Sequence, residues 1–178
     1  MIELLLCILS LIPAQPTITR LDGGTALPVS SISESGAVTI QATLTDAQTQ
    51  QPLRGYLMLA QADAGSHTTI HADEAGVIHA PMKWDEVYEL MFVVQGYLPH
   101  KIIFDLFGLS SSDVRTDQEV NFALPMLKDV DGIPEYLLEE PMGYAAYSSA
   151  ERKIVFDNAF GERRRAVVQQ AIDGIEGR

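Results

Sequence analysis

A chain of 178 residues with 47% hydrophobic side chains is long enough to bury one core and carry a small appendage. Its 12 basic and 24 acidic residues give a net charge of −12, shared between residues 1–128 (6 basic, 14 acidic) and residues 129–178 (6 basic, 10 acidic). Such a surface repels a phosphate backbone, so nucleic acid is excluded as the expected partner.

The chain opens on an apolar run, Leu4 to Ile12, that is too short to span a bilayer and is broken by Pro13. With Ala14 before Gln15 as a cleavage point, residues 1–15 are predicted to be an export signal peptide. Met1-Ile2-Glu3 lacks the usual positive charge, which leaves an uncleaved anchor or a buried first strand as alternatives. Cys7, the single cysteine, lies inside the run after Leu6 rather than at its end after a small residue, which argues against lipid attachment. Removal of the signal would leave no disulfide, thiolate metal site or cysteine nucleophile. Residues 16–36 are rich in Pro, Gly, Ser and Thr without periodicity, and read as a flexible lead-in.

From Ala37 the pattern changes. Val38, Ile40, Ala42 and Leu44 alternate with Thr39, Gln41 and Thr43, the period of a half-buried strand. Turn chemistry over Asp46–Gly55 leads into Tyr56–Ala62, and Ala64-Gly65-Ser66 into His67–Ala72. Asp73-Glu74-Ala75-Gly76 predicts a hairpin returning Val77–Ala80 antiparallel, with Pro81 confining that strand to an edge or ending it. Tyr88, Leu90, Phe92 and Val94 alternate again, Gly96 turns the chain, and Leu98–Leu106 follows. After a polar, serine-rich loop over residues 108–117, Val120, Phe122 and Leu124 supply a seventh strand. Seven short strands without a helical period among them predict an antiparallel β-sandwich over residues 37–128, because crossover helices for a parallel sheet have no room.

Residues 129–178 differ in character: a linker over residues 129–134, a hairpin of Gly143–Ser148 with Lys153–Asp157, and a helix over Ala159–Asp173. That helix carries Val168, Ala171, Ile172 and Ile175 on one stripe, with Glu162 to Arg165 starting a polar face.

The ordered segments VTIQATLTDAQTQQPLRG (Val38–Gly55), HADEAGV (His71–Val77), VYELMFVVQGYLPHKI (Val87–Ile102) and EVNFALPMLK (Glu119–Lys128) resemble the carboxypeptidase regulatory-like family, a transthyretin-like β-sandwich of Gram-negative envelope proteins. The chain departs from it at Gln50, where the family carries Gly, and in the lengthened connection over residues 110–117. The resemblance implies an exported protein, periplasmic or outer-membrane associated, acting as a non-catalytic accessory module that binds another envelope protein or polymer. The piece Glu139–Phe160 is similar to segments that follow this sandwich in larger envelope proteins, but the tail is too short for a complete OmpA-like peptidoglycan-binding domain.

No metallopeptidase, serine-hydrolase or phosphate-loop motif occurs, so neither enzymatic activity nor a cofactor is expected. His67, His71 and His79 would converge on a metal only in one strand register, and read better as solvated strand histidines. Asp129, Asp131 and Glu135 offer oxygen ligands but lack the spacing of a calcium loop, and read as a polar linker. Candidate partner contacts are Trp84 and Tyr97, which as exposed flat rings would make the chain a carbohydrate-binding module, and the basic run Arg163, Arg164 and Arg165. Tyr88 shares a face with Leu90 and Phe92 and belongs to the core. The oligomeric state is left open.

Overall fold

The computed structural model describes residues 37–62, 64–109 and 118–177. The expected signal peptide, the lead-in and the loop over 110–117 lie outside the described residues. Among the described residues nine strands and two helices follow one another: β1 (Ala37–Asp46), β2 (Tyr56–Gln61), β3 (His67–His71), β4 (Val77–Lys83), β5 (Val87–Val93), β6 (His100–Asp105), β7 (Gln118–Met126), α1 (Tyr136–Glu139), β8 (Gly143–Ser148), β9 (Lys153–Phe156) and α2 (Asn158–Glu176). They form two sheets, one of three strands in the order β4-β1-β7 and one of six in the order β3-β2-β5-β6-β8-β9.

Period-two patterning sets the core. Val38, Ile40, Ala42 and Leu44 of β1 are fully buried against Leu57, Leu90, Phe92 and Phe104 of the larger sheet, and Tyr88 is buried with them. Phe122 of β7 meets Phe92, Phe104 and Phe156 at centroid distances of 5.2 to 6.1 Å, so one aromatic cluster joins both sheets to the tail hairpin.

The antiparallel expectation is corrected in two places. β1 pairs β7 in parallel, Ile40 beside Val120 and Leu44 beside Leu124, and β6 pairs β8 in parallel, Ile102 beside Gly143. A parallel neighbour needs a long connection, and helices are not the only way to build one: between β1 and β7 the chain runs through β2, β3, β5 and β6 of the opposite sheet. The tail is corrected with it. β8 and β9 form the expected hairpin, Tyr147 beside Ile154, but the hairpin extends the larger sheet from four strands to six.

The predicted Asp73–Gly76 hairpin is also overturned. Asp73 Oδ1 accepts from the backbone N–H groups of Ala75 (2.9 Å) and Val77 (2.8 Å), and Gly76 takes φ +77°, so a tight turn does form. It passes the chain between sheets, however: β3 pairs β2 while β4 pairs β1, which lets Ile78, Ala80 and Met82 reach the core. Pro81 sits in β4, an edge strand, where its missing donor is tolerated. Gly55 is demanded by close approach: a Cβ there would lie 2.5 Å from the Val93 carbonyl oxygen.

Helix α2 starts at an N-cap, Asp157, whose side chain accepts from the Phe160 N–H at 2.8 Å. Val168 and Ile172 are buried with Leu98, and Leu127, Val130, Leu138 and Met142 pack around them in a second, smaller cluster. No helix among the described residues is long and apolar enough to cross a membrane.

Candidate functional site

The turn after β1, the end of β7 and helix α2 enclose a cleft of about 370 Å³. One wall is the turn at Asp46, whose carboxylate is buried (4% exposed) and fully occupied. Its Oδ1 accepts from the N–H groups of Thr49 (2.7 Å) and Gln48 (2.8 Å), and its Oδ2 accepts from the Tyr97 hydroxyl at 2.7 Å. The Thr49 N–H, with Tyr97 and Gln48, holds this carboxyl well below the usual carboxylate range, and the same carboxylate pushes the Tyr97 phenol up. Tyr97, set by the turn at Gly96 (φ +79°), thereby latches the β5–β6 connection of one sheet to the end of β1 in the other. The Ala47 N–H donates to Met126 O at 3.0 Å, closing the wall onto β7.

Met126, Val130 and Ile172 provide the apolar lining. Gln48, Gln50 and Gln169 bring amides to it, and Lys128 and Arg165 bring positive charge. Among the described residues neither Lys128 nor Arg165 belongs to an ion pair, and Glu176 also lines the cleft. With Asp46 and Glu176 also in the lining, the two cations make the cleft close to neutral on a chain of net charge −12, and it offers a ligand both charged groups and apolar surface.

The basic run divides by function. Arg163 is exposed, Arg165 lines the cleft, and Arg164 is drawn inward. The Arg164 guanidinium meets Glu140 at 2.8 Å and donates to the carbonyls of Pro141 (3.2 Å) and Leu137 (3.0 Å). Placing it on a solvated polar face is therefore corrected: it ties α2 to α1 and to the connection that follows it, through the carbonyls of Leu137 and Pro141.

The aromatic candidates do not form one platform. Trp84 precedes β5 and Tyr97 follows it, so a seven-residue strand of ~23 Å separates them. Both are partly buried against the core. His67 and His71 lie on β3 and His79 on β4, in different sheets, and the His71 ring lies tilted against Tyr56 at a centroid distance of 5.9 Å. Among the described residues no group of three or more His, Cys, Asp or Glu is placed to hold a metal, and the Asp129–Glu135 stretch is no exception.

Two residues near the cleft do not stand out in the sequence. Asp46 reads only as part of a turn, although an aspartate preceding polar residues commonly caps their N–H groups. His100 is buried, and burial, with the Arg165 charge second, pushes its imidazole down to about 4. Its alternation with Ile102 and Phe104 was the available signal, since those positions share a face.

The described residues thus form a two-sheet β-sandwich with a helix docked beside one end. No family model matches the chain, and no curated protein does. Among solved structures, the group B streptococcus pilus 2b backbone protein matches 53% of this chain and 42% of its own at 19% identity, TM-score 0.36. A DUF3823 family protein from Parabacteroides merdae matches 53% and 48% at 12% identity, TM-score 0.37. The 3-chlorocatechol 1,2-dioxygenase of Rhodococcus opacus 1CP matches 58% and 64% at 12% identity, TM-score 0.41. The match spans less than two thirds of each of those chains, and at these scores it assigns neither family nor activity.

Proposed function

We propose that the chain is a non-catalytic accessory module of the carboxypeptidase regulatory-like, transthyretin-like kind, exported to the cell envelope, where it binds another envelope protein or polymer. The observation that carries this reading is the cleft beside α2, where Lys128 and Arg165 stand without ion-pair partners among the described residues over an apolar lining. Because the walls are held by Asp46, Tyr97 and Arg164, such a surface is pre-organised and loses little entropy on binding. The residue-level resemblance over Val38–Lys128 supports the envelope setting, and the proposed domain limits remain 37–128 for the sandwich and 129–178 for the tail that completes the site. Arg163, exposed on α2, and Trp84, at the opposite end of β5, are proposed as secondary contacts at most.

Mild crosslinking in envelope fractions tests this with two chains, the wild type and Lys128→Glu/Arg165→Glu. The expected outcome is one envelope component enriched by the wild type and lost with the double variant. Equal recovery by both would remove the cleft from the interaction, and no enrichment over an empty control would remove the accessory role.

A further inference from the structure

The two sheets present unlike outer faces. That of the three-stranded sheet is polar: Thr39, Gln41 and Thr43 of β1 stand between His79 of β4 and Asn121 of β7. On the six-stranded sheet the side chains that alternate away from the core are largely apolar. Met58 of β2 is beside Met91 of β5, Ile103 of β6 is beside Tyr144 of β8, and Ala146 of β8 is beside Val155 of β9. All six are partly exposed and none packs against either hydrophobic cluster.

The charged groups that β5 and β6 present on this face already have partners. Lys101 pairs with Glu89 at 3.6 Å, its side chain only 18% exposed. Asp105 accepts from the Tyr144 hydroxyl at 2.8 Å and from the Phe107 N–H at 3.0 Å. A face whose charges are internally paired loses less on desolvation than one whose charges depend on water. Glu89 is paired with Lys101, and Lys153 with Glu151 of the β8–β9 turn at 2.9 Å, which leaves Asp105 as the one carboxylate here without a cation, so the face is close to neutral although the chain as a whole carries −12.

We infer that the outer face of the six-stranded sheet is a self-association surface on which a second copy of this chain packs face to face. Charge selects the occupant: two copies of so acidic a chain repel each other wherever their surfaces are negative, and this nearly neutral, apolar face is where they can meet with little of that penalty. Size is consistent with it. Six strands spaced ~4.8 Å apart and ~20 Å long offer ~500 Å² per copy. Two such footprints total ~1,000 Å², the lower bound for a specific interface. An interface at that lower bound is reversible and concentration-dependent.

Sedimentation velocity on the full chain, up to ~200 µM and repeated at high salt, tests it. The wild type is expected to dimerise at both salt levels. Met91→Lys and, as an independent second variant, Val155→Lys are expected to weaken the dimer at least tenfold while keeping the wild-type circular dichroism spectrum. Asn121→Lys, on the polar face of the other sheet, is expected to leave it unchanged. A wild type that stays monomeric at the highest concentration overturns the inference, and so does association that persists in folded Met91→Lys and Val155→Lys chains. The readout is independent of the cleft, whose proposed role stands or falls separately.

Discussion

Gln50 adopts φ +59°, the left-handed region that favours glycine, at the position where the resembled family carries Gly. Its side chain recovers part of the cost by donating to the Ala47 carbonyl at 3.1 Å. Gln50→Gly is therefore expected to stabilise the chain by ~0.5 kcal/mol, the relief of strain exceeding the added freedom of the unfolded chain, as read by urea denaturation. His100 sets a pH dependence. Its folded pKa of about 4 lies below the ordinary 6.5, so the unfolded chain takes up a proton as pH falls through that interval while the folded chain does not. Stability from this group is complete above pH 6.5 and declines by ~3 kcal/mol down to pH 4. Asp46 adds a loss of the same sign at lower pH, because its folded pKa is depressed and protonation weakens the three hydrogen bonds it accepts. Denaturation midpoints of wild type and His100→Leu measured across pH 4 to 7 check this: the variant should lack the upper decline.

At the scale of elements, α2 is held by its apolar stripe and by one arginine. Arg164→Met keeps the aliphatic stem but removes the donors to Leu137 O and Pro141 O and the contact with Glu140. A loss of ~1–2 kcal/mol is expected, most of it from the carbonyls, since Glu140 is largely exposed and an exposed ion pair contributes little. Arg163→Met, one residue away and exposed, should stay within ~0.5 kcal/mol of wild type. Equal effects of the two substitutions on the thermal midpoint would contradict the inward role of Arg164. Much of the helix was legible, because Val168 and Ile172 recur at helical spacing. The direction of Arg164 was not, since three consecutive arginines look alike until the carbonyls of a distant connection choose one.

For the whole molecule, the aromatic cluster around Phe122 predicts a single cooperative unit. Because this one ring touches Phe92, Phe104 and Phe156 from three other strands, Phe122→Ala should cost ~3 kcal/mol and destabilise sandwich and tail together. Guanidinium unfolding followed by Trp84 fluorescence and by far-ultraviolet circular dichroism should then give coincident transitions. Two separated transitions would show that the β8–β9 hairpin and α2 fold independently of the sandwich.

What the sequence determined by itself was local: seven sandwich strands, a tail hairpin, one amphipathic helix, and the faces that bury Val38, Ile40, Leu90 and Phe92. Alternation is a property of neighbouring residues, so it can be read along the chain. The identity of each strand's partners cannot, because pairing joins residues remote in sequence. Only the tertiary structure decided that β1 and β7 lie parallel, that the Asp73–Gly76 turn changes sheets, and that β8 extends the larger sheet beside β6. The same reason hid the site. Asp46, Tyr97, Lys128 and Arg165 come together because a turn, a strand end and a helix meet at one end of the sandwich, and that meeting is settled by packing rather than by any single segment.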